Sequence, residues 1–141
     1  MTFNFSRRLA LSVTGFAVTL GLAGCASMTD PAQAVMLLEP ANGATVSSPF
    51  KVRFGIKGMT VAEAGEILAN SGHHHLLINQ PPVAKGESVP FSDQHLHFGK
   101  GQTETEVKLA PGVYKLTAPF ANGAHQSYGA GMSNTITVTV R

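Results

Sequence analysis

The chain has a single cysteine, Cys25, and no tryptophan. One thiol makes no internal disulfide, so stability must come from an apolar core. With neither a cysteine pair nor a tryptophan, an antibody-type sandwich built on those groups is excluded. Charge is also scarce: 13% of residues are charged, 10 basic against 8 acidic. Two of the basic residues, Arg7 and Arg8, stand near the N-terminus, and beyond them the two signs balance. That leaves no basic stripe for a nucleic acid and no charged patch for a membrane surface. No apolar run reaches the roughly 20 residues that a spanning helix needs. No repeat recurs at solenoid periods. A nucleophile elbow, a phosphate loop, an H-E-x-x-H motif and a Ser–His–Asp order are all missing, so the chain is not expected to be an enzyme.

The longest apolar stretch, residues 9–22, follows Arg7 and Arg8 and ends in Leu22-Ala23-Gly24-Cys25. A positive flank, a short apolar segment and small residues at the end form a secretory signal. The ending resembles a bacterial lipobox, which implies an acylated Cys25 as the first mature residue. Two or three acyl chains hold a protein on a membrane where one does not. Residues 1–24 are therefore expected to be a lipoprotein signal peptide. Residues 25–34 are expected to be a lipid-anchored tether, polar and without periodicity, and residues 35–141 a folded domain. Ala26 and Ser27 follow the cysteine. By resemblance to lipoprotein sorting rules, the lack of Asp there implies the outer membrane, with the domain on the periplasmic side.

The domain reads as all-β. Phe50, Val52, Phe54 and Ile56 alternate with Lys51, Arg53, Gly55 and Lys57, a strand with one face inward. Residues 73–79, 95–98, 104–109, 113–118 and 135–140 show similar short patterns, and residues 34–38 form a further apolar run. Turn residues separate them at close intervals. Residues 61–69 read as a loop, and residues 121–132 as a long Gly-rich one. About seven such strands predict an antiparallel β-sandwich of immunoglobulin-like type. The Leu-Ala-Pro-Gly-Val-Tyr segment ending at Tyr114 resembles a tyrosine corner, in which the hydroxyl bonds back to upstream backbone.

Five of the six histidines lie in two runs: His73, His74 and His75, then His95 and His97. Strand neighbours point to opposite faces. In residues 73–79, Leu76 and Ile78 mark the core face, which His74 shares. In residues 95–98, Leu96 and Phe98 mark it. His73, His75, His95 and His97 then turn away from the core together. Several imidazoles meeting at one point suit zinc, copper or nickel. The loop residue His125 is a possible fifth contributor, and His74, Asp93 and Met132 are assigned supporting or structural positions. Asp93, two residues before His95, is placed to orient an imidazole or to cap a turn. Met36 and Met59 are expected in the core, and Glu104 and Glu106 on a solvated face.

The segments HHHLLIN (residues 73–79), HLHFGKGQTE (95–104) and LAPGVYKLTAPFANGAH (109–125) together resemble domain-of-unknown-function family 4399 of bacterial envelope proteins. The resemblance runs from about Met36 to Val140. It implies an exported sandwich domain and supplies no activity. Where many relatives carry histidine after Pro-Gly this chain has Tyr114, and where they carry Asp in the later loop it has Asn122.

These readings converge on a lipid-anchored periplasmic domain that binds copper or zinc through His73, His75, His95, His97 and His125. Its expected role is capture, buffering or delivery. The alternative is a cell-envelope structural or interaction module whose histidines hold loops or contact an envelope protein or glycan. A small hydrolase has the least support, for want of a nucleophile or a carboxylate pair.

Overall fold

The structure, a computed structural model, describes residues 32–141. The expected signal peptide, Cys25 and most of the tether lie outside the described residues. Nine strands follow in order: β1 (Ala34–Glu39), β2 (Thr45–Val46), β3 (Phe50–Lys57), β4 (Thr60–Val61), β5 (Ser71–Ile78), β6 (His95–His97), β7 (Glu104–Val107), β8 (Gly112–Ala121) and β9 (Ser133–Val140). One short 3₁₀ turn, Ala130–Met132, precedes β9. The expected segments are all present as strands. The count rises to nine because β2 and β4 are two-residue strands set in turn-rich sequence.

The strands form two sheets packed as a sandwich. One has the order β1-β3-β7 and the other β2-β9-β8-β5-β4. β6 pairs with β5 as well, on the edge that β4 also uses. β4 runs parallel to Ser71 and Gly72, and β6 antiparallel to residues 75–77. Val35, Phe50, Val52, Phe54 and Val107 from the small sheet meet Leu76, Ile78, Leu116, Ala118, Phe120, Ile136, Val138 and Val140 from the large one. Alternation sets these positions: each core strand sends every second side chain inward. Met132 and Phe98 complete the core from the connections, and Met59 packs against it. Met36 instead lies on the exposed outer side. On the outer face of the small sheet, exposed Arg53 sits 2.9 Å from Glu39, and Lys51 3.4 Å from Glu104. Tyr114 donates its hydroxyl to the Ala110 carbonyl at 3.0 Å, the bond expected of a tyrosine corner.

β5 is buried along its whole length on both faces. A single sandwich core covers only one face, so a second cover is needed. Residues 79–94 and 122–128 supply it by folding back over the outer side of the large sheet. The two segments bond to each other through Gly86 N–H to Ser127 O (2.8 Å), Ser127 N–H to Glu87 O (2.9 Å) and Val89 N–H to His125 O (2.9 Å). Beneath them lies a smaller apolar cluster of Leu77, Val89 and Ala121, with Val83 against it. Gly72 permits the close approach of β5 to β8, because a Cβ there would overlap the Ala121 carbonyl. The register of β5 on β8 sets His75 opposite Pro119, and the ladder is interrupted there because proline has no N–H to give.

Candidate metal centre

The outer face of β5 carries His73, His75 and Leu77, and the inner face His74, Leu76 and Ile78. β6 lies antiparallel beside it with His97 directly opposite His75. His97 therefore stands on the same outer face as His73 and His75. A tight turn brings the fourth ring in from the 122–128 segment. The Asn122 side-chain oxygen accepts from the N–H groups of Ala124 and Gln126, both at 3.0 Å. His125 donates its N–H to the Asn122 carbonyl at 2.9 Å. Its φ is +64°, a left-handed value rare outside glycine, asparagine and aspartate. That uncommon backbone state turns the His125 ring toward the strands.

The four rings touch. Nε2 of His73 lies 3.0 Å from Nε2 of His75, and Nε2 of His97 lies 3.1 Å from Nε2 of His125. His73, His97 and His125 each bring one ring nitrogen to within 4.8 Å of the others. Five of the six ring-centroid distances fall between 4.8 and 5.0 Å, and the sixth, His75 to His125, is 6.0 Å. A square of that edge would need two diagonals of about 6.9 Å, as planar copper(II) or nickel(II) sites require. The observed set is a distorted tetrahedron. Imidazoles bound at about 2.0–2.1 Å in a tetrahedral site have centroids roughly 5.2 Å apart, so the rings already stand near ligand spacing.

Burial divides the cluster. His73 and His75 are fully buried, while His97 and His125 are half-buried and open toward Phe91. The Phe91 ring, itself exposed, meets His97 at 5.1 Å and His125 at 5.2 Å, both edge-on. Burial first, and then the neighbouring imidazoles of His97, His125 and His74, lower the His73 pKa to about 4. His75 is brought to about 2, first by burial and then by His73, His97, His125 and His74. His97 is lowered by burial and by His125. These three rings are therefore neutral at neutral pH and keep a lone pair for a Lewis acid.

The other expected residues fall elsewhere. His95 shares the outer face but does not join the cluster: its Nδ1 lies 2.7 Å from the Ser92 hydroxyl. β6 is only three residues long, and the Ser92 turn takes the ring at its start. Asp93 is exposed, and Ser92 rather than Asp93 contacts His95. Met132 is buried in the main core. His74 points into that core, stacked on Phe54 at 4.9 Å and edge-on to Phe120 at 5.0 Å. Neither of its nitrogens has a partner among the described residues, and burial holds its pKa at about 4.

Sequence reasoning missed Phe91, Gly99 and the turn-building role of Asn122. Gly99 is the most informative of them. A Cβ there would overlap the Cε1 and Nε2 atoms of His97, so only glycine leaves room for that ring. The His-x-His-Phe-Gly pattern carries this signal, since a glycine two residues after a ring on the same side permits a close approach.

The family described as Domain of unknown function (DUF4399) matches residues 52–141, more than half of the chain, and the chain belongs to that family. No curated protein and no solved structure matches it.

Proposed function

We propose that the chain is a transition-metal-binding module of the bacterial cell envelope, holding one copper or zinc ion on His73, His75, His97 and His125. The observation that carries this reading is the near-tetrahedral meeting of four imidazoles, three of which share ring nitrogens within 4.8 Å. Rings already gathered near ligand spacing reduce the ordering cost of capture. An acylated Cys25 would hold the domain on the periplasmic face of the outer membrane, where the cluster would capture, buffer or hand on the ion. The activity proposed is binding rather than turnover, because imidazoles are the groups that meet in the cluster.

Elemental analysis of the chain, purified without chelator or affinity histidines, tests this directly. One equivalent of metal is expected, lost when His97→Ala and His125→Ala are combined and retained in His95→Ala. Failure of the chain to take up copper or zinc would leave the cluster as a clamp that fastens residues 122–128 to β5 and β6. Fractionation of cells tests the anchor: Cys25→Ser should move the protein from the membrane to the soluble fraction.

A further inference from the structure

We infer that the imidazole cluster is selective for a monovalent d¹⁰ cation, copper(I), over divalent zinc. The inference rests on the metal reading above and specifies the charge of the ion. All four candidate ligands are imidazoles, which bind a metal as neutral donors. Among the described residues, the ring nitrogens of His73, His97 and His125 gather with no carboxylate or thiol in the group. The ion's full charge would therefore sit in a half-buried site without an anionic ligand. The self-energy of a buried ion grows with the square of its charge, so a divalent ion carries about four times the penalty of a monovalent one.

Divalent sites offset that penalty by passing the second ring N–H of each histidine to a carboxylate or carbonyl. Here Nδ1 of His73 and Nδ1 of His75 are buried, and neither has a partner among the described residues. Once Nε2 takes a metal, the ring proton must reside on Nδ1. A ring that meets no acceptor there gains no basicity from an outer partner. Apolar Leu77, Val89 and Ala121 pack on this same outer side of β5.

Geometry bears on the oxidation state of the copper. The non-planar ring set opposes the tetragonal coordination that copper(II) seeks. Strand pairing fixes His73, His75 and His97, and the Asn122 turn fixes His125, so flattening would require the sheet to move. The three rings of His73, His97 and His125 suffice for copper(I), which is stable with three nitrogen donors. Zinc takes four ligands, so on those three rings it would have to add His75 or a water.

The test uses the full chain carrying Cys25→Ser, so that no thiolate competes. Copper(I) is titrated anaerobically with ascorbate against a chromophoric copper(I) chelator. Silver(I) is titrated separately without reductant, and zinc against a zinc indicator at the same pH. One equivalent of copper(I) and of silver(I) is expected, each bound about 100-fold or more tighter than zinc and lost with His97→Ala plus His125→Ala. Zinc binding as tight as copper(I) would overturn the selectivity and leave the metal-binding reading standing. Failure of all three ions to bind would overturn both.

Discussion

Replacing His74 tests how the core tolerates a histidine. The ring lies between Phe54 and Phe120 at zero exposure, and its pKa falls from 6.5 to about 4 through burial alone. The unfolded chain takes up a proton at the ordinary value, while the folded chain refuses it until the lower one. Stability is thus complete above about pH 6.5 and declines as pH falls toward 4. A displacement of about 2.5 pH units corresponds to about 3 kcal/mol, or about 1.4 kcal/mol per pH unit across the window. His73, also at about 4, and His75, at about 2, act with the same sign. A domain of this size has a total stability of about 5–15 kcal/mol, so the three rings together should remove a large fraction of the metal-free protein's stability by pH 4–5.

The assay is urea denaturation followed by circular dichroism at pH 7.5, 6.5, 5.5 and 4.5, since no tryptophan is present to report by fluorescence. His74→Leu keeps an apolar side chain of similar volume between the two phenylalanines. Any packing change moves its whole stability curve, whereas loss of the titrating ring changes the slope. Below pH 6.5 the variant should lose about 1.4 kcal/mol per pH unit less than the parent. Equal slopes in the two proteins, or a parent curve flat from pH 7.5 to 4.5, would refute the reasoning.

Three further outcomes are expected. Gly99→Ala should abolish metal uptake as fully as His97→Ala, with an unchanged circular dichroism spectrum, because the added methyl takes the place of the His97 ring. Metal binding between pH 8 and pH 6 should release no proton from His73 or His75, since both are already neutral there; isothermal titration in buffers of different ionisation heat should detect at most two protons per ion. Tyr114→Phe should lower stability by about 1 kcal/mol through loss of its bond to the Ala110 carbonyl, read as a shift in the urea midpoint, with metal uptake intact.

Much of this arrangement was legible in the chain because a strand has a fixed period of two. Once Leu76, Ile78, Leu96 and Phe98 mark an inner face, His73, His75 and His97 must share the outer one, and His74 must enter the core. Antiparallel pairing then sets His97 opposite His75. The same rule failed for His95. Alternation fixes the face of a side chain but not how far along the strand a cluster extends, and a hydroxyl three residues away captured the ring. Alternation also turned the outer histidines away from the core without saying what covers them. Their burial depends on residues 79–94 and 122–128 bonding to each other across dozens of intervening residues. No local pattern encodes such a pairing.

His125 shows what remains hidden when position on a loop is all that is known. Its place beside His97 depends on a left-handed backbone angle, stabilised by one asparagine side chain and by the Val89 N–H on its carbonyl. The asparagine contacts are local, but the Val89 bond forms only when residues 79–94 and 122–128 meet over the sheet. Strand periodicity can therefore supply three ligands before folding is considered, but the fourth comes from tertiary structure. That division bears on the site's chemistry. The ring set by the turn is half-buried and meets Phe91, whereas the inner pair set by β5 is sealed. An incoming ion would thus meet His97 and His125 first, and its full coordination would require the deeper rings, whose neutrality depends on the same burial that makes the fold acid-sensitive.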